Sequence, residues 1–223
     1  MKKQRVVGIL GLGLFGSALA RGLSDHGVDV VGCDKNEDHV EDLEEYLTIG
    51  SVGNFTDLDF MRQAGFASCD VIVIGTGENL ESSVLGVVNA QELGVKQIIC
   101  KAKNQQSAKA LTALGVSRVI LPEEESGTHL ANVLSRQSLE GLINLDDSTA
   151  VVEFKVPKEW LGKKLSDLDL RRRYDLNIIG IRKHPKQALD TQLDPNQQFE
   201  ADDFVVAVAN LQTFERVDYL ERI

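Results

Sequence analysis

Three glycines near the start of the chain, Gly11, Gly13 and Gly16, stand in the spacing G-x-G-x-x-G. In a phosphate-binding loop of this type, the first glycine permits a tight turn, the second lets the backbone approach a pyrophosphate, and the third lets the next helix pack closely. The start of that helix directs free N–H groups and a positive dipole end at phosphate oxygens. The spacing therefore predicts a nucleotide site formed by the whole loop: Gly11, Leu12, Gly13, Leu14, Phe15 and Gly16.

A carboxylate lies where such a loop needs one. Asp34 follows the loop by the roughly 20 residues typical of these sites, at the predicted end of the second strand. There it would accept hydrogen bonds from ribose hydroxyls and repel a 2′-phosphate. Alternatively, Asp34 caps the helix that starts near Asn36, but spacing and context together favour nucleotide binding. The neighbouring Lys35 is included in the predicted site.

Three further segments fall at predicted strand ends: GNFTD (53–57), GTGEN (75–79) and CKAKN (100–104). Ligands of open α/β sheets gather at the carboxyl ends of strands, so these segments are candidate adenosine and phosphate contacts. Taken singly, each is better explained as a turn or a helix cap, a role that suits Asp57 and Asn79. The glutamates of PEEESG (122–127) either favour the dipole of a helix start or reach a ribose or a bound cation.

The groups that a dehydrogenase needs are not evident in the sequence. Hydride transfer requires a proton donor or acceptor beside the nicotinamide, together with a substrate pocket. The chain is therefore predicted to hold a nucleotide for regulation rather than catalysis, and a small NAD-dependent oxidoreductase is the alternative. The four histidines show no metal-binding spacing and no evident carboxylate partner: His26, His39, His129 and His184.

The elements that position these residues alternate between short β-branched runs and amphipathic stretches. Nearly continuous apolar strands flanked by helices indicate a doubly wound, Rossmann-like parallel sheet. Towards the C-terminus the rhythm changes to alternating strands, which predicts a small α+β domain. The predicted domains are residues 1–140 and 141–223, with a long helix over 124–140 and a closing helix over 211–223.

Composition limits the partners. The 223 residues are 43% hydrophobic and carry a net charge of −10, and acidic side chains outnumber basic ones in both predicted domains, which argues against a nucleic-acid partner. The N-terminus shows no signal-peptide pattern and no apolar stretch reaches the ~20 residues that span a bilayer, so a cytoplasmic protein is expected. Cys33, Cys69 and Cys100 lie in apolar strand settings, which predicts buried, reduced thiols rather than a redox sensor.

Taken together, these motifs resemble the RCK family, the regulators of potassium conductance, and within it the Ktr/Trk-type cytosolic subunits. GLGLFGSALARGL matches the family's glycine loop, CDKN its acidic strand end, GTGENLESS its G-x-N-x-x-x-S element, and CKAKN and VILPEEESG its lysine and Pro-Glu signatures. The segment from VVEFKVP to NIIGIRK resembles the smaller C-terminal domain of the family. The resemblance spans the whole chain.

The resemblance implies a regulatory subunit whose dimers form an octameric ring on a membrane K⁺-translocating protein, at the inner face of the membrane. It implies binding of ATP or ADP, or of NAD(H), with a divalent cation such as Mg²⁺. Carried over to this chain, Asn54 and Asn79 lie near the adenosine and Lys101 near the phosphates. Glu123 faces the ligand and a cation at the dimer interface.

Some positions depart from the family pattern. Leu14 stands where many members have an arginine that reaches a third phosphate, and Asn54 replaces the usual aspartate, which removes one negative charge near the ligand. In some members the smaller domain binds a cyclic dinucleotide through apolar residues and an arginine. Arg171 matches that arginine, whereas the polar Ser166 interrupts the apolar patch.

Overall fold

The computed structural model describes residues 5–77, 79–134, 139–146 and 148–210. The chain divides into two compact units, one up to Glu125 and one from Ser126 onward. The domain boundary predicted after residue 140 stays a prediction, and the predicted closing helix over 211–223 lies outside the described residues. Among the helices of the described residues, none combines the length and the apolar character needed to cross a membrane.

The first unit is built on a six-stranded parallel sheet in the order β3-β2-β1-β4-β5-β6. The chain starts in the middle and winds outward in both directions, so a crevice opens at the carboxyl ends of β1 and β4, where the winding direction reverses. This arrangement confirms the predicted Rossmann-like fold. The strands are β1 (Val6–Leu10), β2 (Asp29–Asp34), β3 (Ile49–Val52), β4 (Val71–Ile74), β5 (Gln97–Lys101) and β6 (Arg118–Ile120).

Helices connect these strands, and polar side chains fix where several of them start. The side chains of Asn36, Asp57, Asn79 and Asn104 each accept a backbone N–H at the first turn of the helix that follows, as N-caps do. The central strands of the sheet are buried between the helices, and Ile9 and Ile72 are completely shielded from solvent. The helices are α1 (Leu14–Asp25), α2 (Glu37–Glu41), α3 (Leu58–Gln63), α4 (Leu80–Glu92), α5 (Gln105–Ala113) and α6 (Pro122–Leu134).

The long helix predicted over 124–140 is wrong at its C-terminal end. α6 ends at Leu134, and strand β7 covers Leu139–Asn144. Because β7 pairs antiparallel with β8 (Thr149–Lys155) across a short connection, hairpin formation overrides the helix predicted for this segment. Leu130 and Leu134 are 56% and 73% exposed.

The second unit has a four-stranded antiparallel sheet, in the order β7-β8-β10-β9, where β9 is Leu176–Arg182 and β10 is Phe204–Asn210. A short helix, α7 (Leu170–Tyr174), precedes β9. In the core of the second unit, Trp160 packs edge-on against Phe154, with 5.9 Å between the ring centroids. The buried Phe199 lies beside them. The small α+β domain predicted for this part of the chain is confirmed.

Candidate functional site

A cleft of about 640 Å³ lies at the carboxyl ends of the parallel strands. It contains most of the predicted site residues, contributed by the loops after β1, β2, β4 and β5 and by the start of α6. Its position at the reversal of the strand order is the usual ligand position in such sheets. The lining residues are Gly11, Gly13, Leu14, Phe15, Asp34, Lys35, His39, Phe55, Gly75, Thr76, Gly77, Asn79, Ser82, Lys101 and Glu123.

The glycine loop has the geometry that its spacing predicts. Gly11 has φ +94°, and a Cβ there would lie 2.4 Å from Thr76 Cγ2. A Cβ on Gly16 would lie 2.0 Å from the carbonyl oxygen of Gly11, so both positions require glycine. A Cβ on Gly13 would meet no heavy atom within 4 Å. Since Gly13 begins α1 as its N-cap, the open space at its Cα faces a helix start, where an anion is favoured.

Asp34 is held in place by backbone N–H groups on both sides of its carboxylate. The amide of Leu12 donates to Oδ2 at 2.7 Å, and the amide of Asn36 donates to Oδ1 at 2.9 Å. Burial opposes ionisation, but these hydrogen bonds and the nearby His39 outweigh it and lower the pKa of Asp34. The helix cap is Asn36, whose side chain accepts the amide of Asp38, so the alternative interpretation of Asp34 as that cap is wrong.

Lys101 and Glu123 meet at the phosphate end predicted for the cleft. Lys101 Nζ lies 2.7 Å from Glu123 Oε1, with the lysine side chain 18% exposed and the glutamate 69% exposed. The hydrogen bond from Lys101 lowers the pKa of Glu123. Within the described residues, no cluster of three or more histidine, cysteine, aspartate or glutamate side chains could hold a metal ion. A cation at Glu123 stays a prediction.

Three predicted residues take other positions. The side chain of Leu12 is only 2% exposed and packs in the core, so its amide alone contributes to the site, through Asp34. Asn54 is not among the residues that line the cleft, and its Oδ1 accepts the amide of Thr56 at 3.1 Å. Gly16 does not line the cleft either, because its Cα lies against the carbonyl oxygen of Gly11. Asn79 both lines the cleft and caps α4.

Sequence reasoning missed His39. The expectation that the histidines lack a carboxylate partner is wrong for this residue, because its Nδ1 lies 3.3 Å from Asp34 Oδ2. Two residues separate the end of β2 from the start of α2, and His39 lies in the last turn of that helix. A histidine in the short helix that follows an acidic strand end was the available signal. Thr76 also lines the cleft, and its buried Oγ1 has no hydrogen-bond partner within the described residues.

The three cysteines are buried, as predicted, and none forms a disulfide. Burial raises the pKa of Cys33 and Cys100 to about 12 and that of Cys69 to about 11. The nucleophilic form of cysteine is the thiolate, and all three stay protonated near neutral pH. These thiols therefore belong to the core of the sheet rather than to the cleft.

The parallel sheet, its glycine loop and the acidic end of β2 define a Rossmann-type domain with a nucleotide-sized cleft. The family model of the TrkA-N domain matches residues 7–122, and that of the TrkA-C domain matches residues 151–218. The chain therefore belongs to the family of proteins with TrkA-N and TrkA-C domains, and its resemblance to RCK proteins is confirmed.

Two relatives show how much of the chain this similarity covers. The chain is 29% identical to Ktr system potassium uptake protein C of Bacillus subtilis (strain 168) over 218 residues, which is 97% of each chain. It is 29% identical to Ktr system potassium uptake protein A of the same organism over 182 residues, 82% of each chain.

Solved structures share the fold. The GsuK RCK domain superposes with a TM-score of 0.65 at 19% identity, covering 98% of this chain and 48% of that chain. The GsuK channel bound to NAD gives a TM-score of 0.64 at 18% identity, covering 98% of this chain and 40% of that chain. This chain thus spans less than half the length of each of these two chains.

Proposed function

We propose that this protein is a nucleotide-binding regulatory subunit of a membrane potassium uptake system. The observation that carries the proposal is the cleft, in which Gly13 opens onto the start of α1 and Asp34 lies at the end of β2. This cleft belongs to a chain related along 97% of its length to a Ktr system potassium uptake protein. The homologues that carry these domains take part in potassium uptake, which supports regulation over catalysis.

The proposed ligand is ATP or ADP, or NAD(H). The pyrophosphate lies against Gly13 and the first turn of α1, the ribose lies at Asp34, and Lys101 attracts the phosphates. A channel that contains this fold within a longer chain has been solved with NAD bound, which supports a ligand of this class. Glu123, which pairs with Lys101 at 2.7 Å, shares a divalent cation such as Mg²⁺ with the phosphates in this proposal.

Regulation requires two states of the protein with different affinities for the ligand. We place these states in an assembly of this chain, a dimer that builds an octameric ring on the membrane K⁺-translocating subunit. The exposed leucines of α6, Leu130 and Leu134, support burial against a second copy. The protein is then peripheral, held at the inner face of the membrane through its channel partner.

Binding and assembly can be tested on the full chain. Calorimetric titration with ADP, ATP and NADH is expected to show binding, and light scattering is expected to show a dimer or larger ring whose shape differs between ATP and ADP. Incubation of the protein with NADH and a panel of small carbonyl compounds is expected to show no hydride transfer. A monomer under all nucleotide conditions that also turns over NADH would refute the proposal and favour a small NAD-dependent oxidoreductase.

A further inference from the structure

His39 is a residue of the cleft to which the proposed function assigns no role. Its side chain lines the cleft beside Asp34 and Lys35, and it is 42% exposed. Its Nδ1, however, is shielded from solvent and has no aligned hydrogen bond within the described part of the chain. A shielded ring nitrogen 3.3 Å from a carboxylate oxygen is an incomplete polar pair, since buried polar atoms are nearly always hydrogen-bonded.

The neighbouring carboxylate has room for further partners. A carboxylate has about four acceptor positions on its two oxygens. In Asp34, Oδ2 accepts the amide of Leu12 and Oδ1 accepts the amide of Asn36. A ribose with free hydroxyls can donate to the remaining positions, and the exposed part of the His39 ring lines the cleft beside them.

We propose that His39 contacts the bound nucleotide and, together with Asp34, makes the choice between a ribose 2′-hydroxyl and a 2′-phosphate depend on pH. This inference rests on the proposed nucleotide binding at the cleft. With a neutral imidazole, the carboxylate of Asp34 repels a 2′-phosphate. A protonated imidazole pairs with Asp34 and offsets its charge, which adds one positive charge near the position of that phosphate.

The other charged and titratable groups around the ring lie on α2 and on the strands against which it packs. α2 packs against β2 and β3, and β3 carries no titratable side chain. On β2, Asp34 stays ionised because its pKa is lowered, and the thiol of Cys33, with a pKa of about 12, stays neutral. Asp29 lies at the opposite end of β2. α2 itself carries three acidic side chains: Glu37, Asp38 and Glu41.

Calorimetric titration of the full chain with NADH and NADPH, at about pH 8 and about pH 5.5, tests the inference on both sides of the imidazole range. The ratio of the NADPH dissociation constant to the NADH dissociation constant is expected to fall by about tenfold or more at the lower pH, as one cation is gained near the phosphate. The 2′-phosphate also titrates near pH 6, so the part due to the histidine is the difference between wild type and His39→Gln. The variant is expected to retain only the smaller change due to the ligand.

His26→Gln is the matched control, since His26 lies at the end of α1 with its Nδ1 2.6 Å from the carbonyl oxygen of Gly22 and does not line the cleft. It is expected to behave as wild type. Ring signals of labelled histidines give a second measurement on the unaltered protein: NADH should shift the His39 signal and leave that of His26 in place. An equal pH dependence in wild type and His39→Gln, or an unshifted His39 signal with NADH bound, overturns the inference alone. Absence of binding by both NADH and ADP overturns the proposed function as well.

Discussion

Replacement of Gly13 by aspartate is expected to abolish nucleotide binding and to leave the protein folded. Gly13 has φ −63° and ψ −165°, a conformation that ordinary residues adopt. A Cβ at this position would meet no heavy atom within 4 Å, so the substitution introduces neither strain nor overlap within the protein. Under the proposed function, the new side chain fills the space that a pyrophosphate would occupy.

The magnitude follows from charge alone. A carboxylate about 4 Å from a phosphate oxygen is repelled by roughly 4 kcal/mol at an effective dielectric constant of about 20. This repulsion corresponds to a loss of about a thousandfold in affinity, and steric exclusion adds to it. Calorimetric titration with ADP and NADH measures the loss, and circular dichroism verifies the fold.

Gly22→Asp provides the control for charge. It adds the same carboxylate to the same helix, at a glycine whose Cβ would also be unobstructed within 4 Å, but outside the cleft. This variant is expected to bind ADP and NADH as wild type does. If Gly13→Asp keeps its affinity and a normal circular dichroism spectrum, the loop has only a structural role and the reasoning fails.

Four further outcomes are expected. At about pH 8, NADPH should bind more weakly than NADH by calorimetry, because Asp34 repels a 2′-phosphate; equal affinity would contradict this. Since folding lowers the pKa of Asp34, the ionised carboxylate stabilises the folded protein above about pH 4, and this stabilisation is lost as the pH falls through the pKa of the folded state. Urea unfolding at several pH values measures this change in stability. Glu123→Gln should reduce the Mg²⁺ dependence of ATP binding, whereas a role in the helix dipole alone would cost only about 0.3–1 kcal/mol of stability; thermal melts with and without ATP and Mg²⁺ separate the two. Gly16→Ala should destabilise the protein by roughly 1–3 kcal/mol, since its Cβ would lie 2.0 Å from a carbonyl oxygen, while Gly127→Ala, unobstructed within α6, should not destabilise it.

The sheet and the glycine loop could be predicted because their signals are local. Buried parallel strands require continuous apolar runs, and the turn at Gly11, with φ +94°, requires a residue without a Cβ. The position of Asp34 could be predicted for the same reason. Only one helix and one strand separate the glycine loop from the end of β2, so few other residues could occupy that strand end. Each of these features is determined by a short segment of the chain.

The features that were missed depend on contacts between segments. The helix predicted over 124–140 stops at Leu134 because β7 gains a hydrogen-bonded partner in β8, which periodicity within one segment does not reveal. Asn54 lies in a loop at a strand end, yet its side chain turns to the amide of Thr56 instead of the cleft. The contact of His39 with Asp34 depends on the angle at which α2 leaves the sheet.

The ion pair at the phosphate end connects the cleft to the helix that leads into the second unit. Glu123 lies in the first turn of α6, and its partner Lys101 ends β5. Under the proposed function, a phosphate that approaches Lys101 either displaces the carboxylate of Glu123 or recruits a cation between them. Under that proposal, each outcome alters the charge beside the first turn of α6. We therefore expect ligands with different numbers of phosphates to favour different positions of this helix, which would supply the differential affinity that regulation requires.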